Sequence, residues 1–344
     1  MIKKTSFKPK QTTKKILSPL KDRSLDIVKS RFGLGVDSSE RKTLEAIGEK
    51  YGITRERVRQ IEQAALNMIK KSEEYKGEKT TWEELKGIIN EFGGLIAEDE
   101  LLESLSKEKD VQNHIHFYLV LGDEFTKHRD DDDFVPRWTI DTDLSDKVHS
   151  SLKSLYSGLS DSEIISEGEM VTRFLDELKK INVEYRDEEI AKRWLSLSKS
   201  IRKNPLGEYG KSSASGVKAR GIKDFAYLMM RKHGSPMHFR EVAKAVTDTF
   251  AKKCHTATCH NELIKDKRFV LVGRGMYALS EWGYKPGVVR DVIKEILKRE
   301  GPMTKEDVVD KVLKERYLKK NTILVNLQNP KYFKKNKDKT YSPL

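Results

Sequence analysis

The chain has 344 residues, of which 37% are hydrophobic and 35% charged, and it carries a net charge of +13. That length suggests about two to four domains, and so much charge beside so modest an apolar share excludes one large enzyme-like core in favour of several small, surface-rich modules. The two cysteines exclude a disulfide framework and suit a reducing cytosol; no apolar run approaches the ~18 residues that a membrane span requires.

Residues 1–31 carry a net charge of +8, residues 32–79 +1, residues 80–200 −13 and residues 201–344 +17. The basic ends suit phosphate, and the acidic middle would be repelled by it. The N-terminus, MIKKTSFKPKQTTKKIL, is basic and lacks the apolar core of a secretory signal. Residues 1–23 hold Lys, Thr, Ser and Pro with little apolar periodicity and read as a flexible basic arm.

Helical patterning begins near Leu25 and runs to about Lys71, giving a first module over residues 24–71. Within it, LEAIGEKYGITRERVRQIE has the spacing of a helix-turn-helix. Gly48 supplies the small residue where the first helix crosses the second. Gly52 supplies a turn residue tolerant of positive φ, Thr54 an N-cap, and Val58 an apolar anchor. At 100° per residue, Val58, Ile61, Ala65, Met68 and Ile69 share one arc of the second helix. Arg55, Glu56, Arg59, Gln60, Gln63 and Asn67 lie opposite, with Arg57 near the buried edge. Such a face suits base reading, since Arg pairs with guanine, Gln with adenine and Glu with the cytosine amino group. The plainer alternative is a solvated helix with intrahelical ion pairs.

From Ile27 to Lys71, the pieces RFGL, TLEAIG and TRERVRQIE together resemble region 4 of sigma-70 family transcription initiation factors. The resemblance implies a domain that reads the promoter −35 element in the major groove of double-stranded DNA and docks on the β flap of the RNA polymerase core. It implies base contacts for Arg55, Glu56 and Gln60. Thr54, Arg57 and Arg59 would contact phosphate or support the readers, and Lys42 and Thr43 would meet the backbone; Gln63, on the same outward face, is a further candidate DNA contact. It covers under one-sixth of the chain, and only about 26 residues precede it. The aromatic-rich domain with which sigma factors melt promoters is therefore not expected here.

After a linker, KKSEEYKGEKT, the sequence becomes repetitive. Gly234-SPMHFREVAKAV and Gly301-PMTKEDVVDKVL each set Pro-Met after Gly, then a short amphipathic helix with valines at matched positions, Val242 and Val308, Val246 and Val312. Each is preceded by one amphipathic helix, followed by another, and closed by a strand-turn-strand pattern. GRG at residues 273–275 supplies one hairpin turn. Three short helices and a β-hairpin make a winged helix. The expected architecture is mainly α, an N-terminal helix-turn-helix followed by tandem winged helices with small β-hairpin wings. An acidic copy spans residues 80–143 and a degenerate one 144–210; 210–220 reads as a linker, and two more copies span 221–284 and 286–344. Residues 221–284 are similar to the HARE-type winged helix, a family that includes the RNA polymerase delta subunit. That similarity implies nucleic-acid or polymerase association rather than catalysis.

Cys254, His255, Cys259 and His260 are too crowded for a zinc finger and read as buried Cys beside exposed His. The run Asp130–Asp133 reads as a solvated wing tip, and His114 and His116, alternating with apolar residues, as structural. No nucleophile has a base partner, so no enzyme, cofactor, metal or small-molecule substrate is expected. His255 to Asn261 would open the third winged helix's recognition helix. Arg274, Lys319, Lys320, Lys334 and Lys335, with Asn321 and Lys337, are candidate phosphate contacts, although these modules could equally bind protein. The reading is a promoter-binding, polymerase-associated transcription factor, cytoplasmic and associated with the bacterial nucleoid. The alternatives are a polymerase-binding modulator without sequence reading and a DNA-defence or chromatin-like accessory protein.

Overall fold

The computed structural model describes residues 5–35, 39–180, 187–284, 287–316 and 318–344. The chain divides into two units, residues 1–202 and 203–344, and is mainly helical with small antiparallel sheets.

The first unit opens with α1 (Pro9–Ile16) and α2 (Asp22–Phe32). Pro9 sits in the first turn of α1, where its missing N–H costs nothing. A flexible arm was expected over residues 1–23. From residue 9 the chain is instead a helix and turn that bury Thr13, Ile16, Leu17 and Leu20. The apolar residues are too few to show a period, but each finds a partner. Thr13 Oγ1 lies 2.6 Å from the Tyr118 hydroxyl and 2.8 Å from His114 Nδ1. The Tyr118 hydroxyl also donates to the Pro9 carbonyl.

Next come α3 (Leu44–Tyr51) and α4 (Arg55–Lys71), followed by the short α5 (Glu73–Lys76) and α6 (Lys79–Glu91). The expected linker is thus structured, and Tyr75 explains it. Its ring lies 5.2 Å from that of Trp82, and its hydroxyl donates to the Leu121 carbonyl at 3.1 Å. Strand β1 (Leu95–Ala97), helices α7 (Glu98–Leu105) and α8 (Lys109–Leu121), and strands β2 (Thr126–His128) and β3 (Arg137–Thr139) complete a three-helix, three-strand segment. Its sheet runs β1-β3-β2, with Ile96 opposite Trp138 and Lys127 opposite Trp138 on the other side.

Helix α4 serves two cores. Val58 packs with Ile27 and Ile47, all fully buried. Further along, Ala65, Leu66 and Ile69 join a larger cluster that runs through α1, α2, α6, α7 and α8 and includes Trp82, Phe117 and Trp138. One hydrophobic core therefore ties the helix-turn-helix to the segment after it. Helix α9 (Thr142–Gly158), strand β4 (Ile164–Ile165), α10 (Glu167–Lys180) and α11 (Glu188–Leu197) follow. Asp141 and Asp187 cap α9 and α11 with their carboxylates. The α11 side chain Trp194 is fully buried, and its indole N–H donates to the Leu95 carbonyl at 3.1 Å.

Strands β5 (Ile201–Lys203) and β6 (Tyr209–Lys211) lead into the second unit. Residues 210–220, expected as a linker, bury Ala214 and Val217, and the Asn204 side chain donates to the Gly216 carbonyl at 3.0 Å. Then α12 (Ile222–His233), β7 (Met237–His238), α13 (Phe239–Phe250), α14 (Thr256–Lys265), β8 (Phe269–Gly273) and β9 (Met276–Leu279) form one segment. Helices α15 (Val289–Glu300), α16 (Lys305–Glu315) and α17 (Lys320–Leu327) with β10 (Phe333–Lys335) and β11 (Tyr341–Pro343) form the next.

The repeat read from sequence has a structural counterpart. Val242 and Val308, and Val246 and Val312, are all fully buried. Met237 pairs with Tyr277 in one segment, and Met303 bridges to Tyr341 in the other. Gly234 and Gly301 both take positive φ, at 74° and 85°. Each segment buries its own core.

Candidate nucleic-acid interface

The α3–α4 pair is built on a close backbone approach. Gly48 is buried, and a Cβ there would lie 2.6 Å from the Ile53 carbonyl oxygen, so only glycine lets α3 approach the start of α4. Gly52 ends α3 at φ 63°, the left-handed conformation that lets the chain reverse. Thr43 and Thr54 cap the two helices, each side-chain oxygen accepting from a backbone N–H at 3.2 Å, that of Ala46 and that of Arg57. Asp26 on α2 accepts from Lys50 at 2.6 Å and from the Tyr51 hydroxyl, which fixes the far end of α3.

Arg55, Glu56, Arg57, Arg59, Gln60, Gln63 and Asn67 all stand exposed on α4, and Lys42 and Thr43 are exposed beside them at the start of α3. Two positions depart from the helical wheel. Arg57, expected near the buried edge, is exposed, and Met68, expected inside, is 53% exposed while Leu66 is buried in its place. The change of core partway along α4 turns its buried stripe.

The exposed groups hold one another. Arg55 pairs with Glu45 at 3.0 Å and Arg59 with Glu56 at 2.7 Å. Arg57 donates to the Gln60 side-chain oxygen at 3.2 Å, and Gln63 donates to Asn67. The hydrogen bond from Arg59 holds the Glu56 carboxyl below the ordinary carboxylate range. Pairs this open to solvent are worth about 0–1 kcal/mol each. They keep the side chains ordered and are readily exchanged for a phosphate or a base edge.

In the second unit, Arg274 is exposed in the turn between β8 and β9, where Gly275 takes φ 74°. Lys319 and Lys320 stand exposed at the start of α17, with Asn321 following. Lys334 and Lys335 are exposed on β10, and Lys337 lies in the turn after it. The structure brings two of these together: Arg274 and Lys319 line one cavity of about 690 Å³, with Arg316 and Thr322. Arg316 was not singled out from sequence. A buried arginine after a helix carries no periodic signal of its own.

At the start of α14, His255 is exposed, while His260 is half-buried and stacks on Phe239 with ring centroids 4.3 Å apart. Cys254 and Cys259 are both buried, and burial pushes the Cys259 thiol up to about 12. No group of metal-ligating side chains is assembled among the described residues. The aspartates expected as a solvated tip are partly engaged. Asp130 pairs with Lys199 and Asp133 with Lys153, both at 2.8 Å, and Asp131 pairs with the buried Arg137 at 3.2 Å. His114 and His116 are buried, and burial depresses both imidazoles, His116 to about 2.

Residues 16–71 match the family model described as Sigma-70, region 4. Over 61 residues the chain is 41% identical to the RNA polymerase sigma factor SigA of Listeria monocytogenes, a match that takes in 18% of this chain and 16% of that protein. The matched residues hold the end of α1, all of α2 and the α3–α4 pair. This N-terminal part of the chain therefore carries a sigma-70 region 4 domain.

Proposed function

We propose that the chain is a transcription factor that reads −35-like promoter DNA through α4 and associates with the RNA polymerase core at the β flap. The observation that carries this is the exposed row on α4, mounted on a helix-turn-helix whose sequence matches region 4. Arg55, Glu56 and Gln60 are the base readers. Thr54, Arg57, Arg59 and Gln63, with Lys42 and Thr43, hold or meet the backbone. The later segments act as winged helices over residues 80–143, 144–210, 221–284 and 286–344, the third of HARE type. In this reading Arg274, Lys319, Lys320, Lys334 and Lys335 contact phosphate, and the protein works in the cytoplasm at the nucleoid.

Band shifts with a −35-like duplex and a scrambled one test the reading. A preference for the first is expected, and Arg55→Ala should cost about 1–3 kcal/mol of that discrimination. Equal affinity for both duplexes, unchanged by Arg55→Ala, would overturn it.

The net −13 of residues 80–200 favours a second reading, because that stretch is repelled by DNA and suits basic protein surfaces. There the domain occupies the polymerase and modulates it without reading sequence. Co-purification with core polymerase in the absence of any duplex preference would select it.

A further inference from the structure

We propose that the cavity between α1, α2 and α8 binds a free amino acid with a large apolar side chain, its ammonium held by His114 and Asp110 and its carboxylate by Lys14 and Lys29. The inference uses no residue of α4 and does not depend on DNA binding.

The cavity measures about 610 Å³, within the ~300–1,000 Å³ usual for small-molecule sites. Leu17 and Leu20 follow α1, Leu25 belongs to α2 and Leu34 follows it, and together they form an apolar wall. Leu17, Leu20 and Leu34 are buried and Leu25 is half-buried.

The polar end follows from counting protons. The Tyr118 hydroxyl gives its one proton to the Pro9 carbonyl. The Thr13 hydroxyl, 2.6 Å away, must therefore donate to the Tyr118 oxygen. Thr13 Oγ1 is then left only to accept, so its partner at 2.8 Å, His114 Nδ1, carries the ring proton. Burial works against a second proton on His114, which leaves Nε2 a bare lone pair. Nε2 lies 3.5 Å from Asp110 Oδ1, on a histidine side chain only 8% exposed. Two acceptors thus face each other with no proton between them. An ammonium has three donors and satisfies both. The other Asp110 oxygen pairs with Lys10.

The remaining cations of the cavity lack an anion. Lys14 on α1 and Lys29 on α2 line it, and among the described residues neither forms an ion pair. A carboxylate accepts charge-assisted hydrogen bonds from both, and the flexible lysine stems let each ammonium follow it. A purely apolar ligand leaves all these polar groups unused, and a fatty acid leaves Nε2 facing Asp110. An amino acid serves the acceptor pair, the two lysines and the leucine wall together.

Isothermal titration calorimetry of the full chain with L-leucine and L-phenylalanine is the test. Their amides, which lack the carboxylate, and isocaproate and hydrocinnamate, which lack the amine, are titrated beside them. Saturable binding of at least one amino acid is expected, at least about tenfold tighter than that of its amide and of its amine-free acid. Asp110→Asn should abolish the preference for the amine. Lys14→Ala combined with Lys29→Ala should abolish the preference for the carboxylate, each variant being checked by a melting curve. The analogue series on the parent protein decides the matter whether or not the variants fold. Absence of binding by both amino acids overturns the proposal. So does equal binding of the amide, which points to a peptide N-terminus, or of the amine-free acid, which points to a simple carboxylate.

Discussion

The Ile53 carbonyl oxygen lies 2.6 Å from where a Cβ on Gly48 would stand. Position 48 is thus closed to every side chain, because its neighbour is backbone and cannot rotate away. Gly48→Ala should force α3 from the start of α4 and cost about 1–3 kcal/mol, read as a lower urea midpoint. Gly52 makes the contrast. Nothing lies within 4 Å of its missing Cβ, and its constraint is φ 63° alone. Gly52→Asn should therefore be tolerated, since Asn adopts the left-handed conformation, while Gly48→Asn should not. Equal midpoints for the two Asn variants would refute the distinction.

That pair of glycines also shows what a sequence can disclose. Gly48, Gly52, Thr54 and Val58 act on one another within about ten residues, so their spacing alone defined the turn. The two-segment repeat was legible for the same reason, its valines falling at equal distances from Met237 and Met303. What could not be read was α4's change of core. A wheel assumes one buried stripe, whereas Val58 faces Ile27 and Ile47 and the residues from Ala65 onward face another cluster. The meeting of Arg274 with Lys319 was hidden too, because two modules had to fold before their cations shared a cavity.

The first residues of the chain give the clearest correction and a direct prediction. Ile16 is fully buried and packs in the large core with residues as distant as Trp138. Ile16→Ala should cost about 2–5 kcal/mol. Lys14→Ala, on the same helix but exposed, should fall within about 0.5 kcal/mol of the parent. Chemical denaturation followed by tryptophan fluorescence would separate them, since Trp82 and Trp138 lie in this core. An Ile16→Ala midpoint equal to the parent's would restore the flexible arm.

The acidic hairpin predicts a pH dependence. Arg137 Nε donates to His149 Nε2 at 2.6 Å, which requires that nitrogen to be unprotonated. Burial, then the Arg137 and His128 charges, push His149 down to about 4. Asp131 and Lys153 also act on it, and with Asp146 they line the surrounding cavity. His128 is depressed as well, by burial and by Arg137. An unfolded histidine titrates near its ordinary value of about 6.5, so between there and about pH 4 the unfolded chain binds more protons than the folded one. Stability must therefore fall as the pH is lowered through that window. Asp131 acts below it: burial opposes its charge, but N–H donors from Phe134 and Asp133 and the nearby Arg137 still hold its carboxyl below the ordinary value. The urea midpoint should decline steadily from pH 7 to pH 4. His149→Gln, which keeps an acceptor for Arg137 but cannot titrate, should flatten part of that decline while leaving the pH 7 midpoint nearly unchanged. If parent and variant trace superimposable pH profiles, the contact between Arg137 and His149 is not what senses the proton.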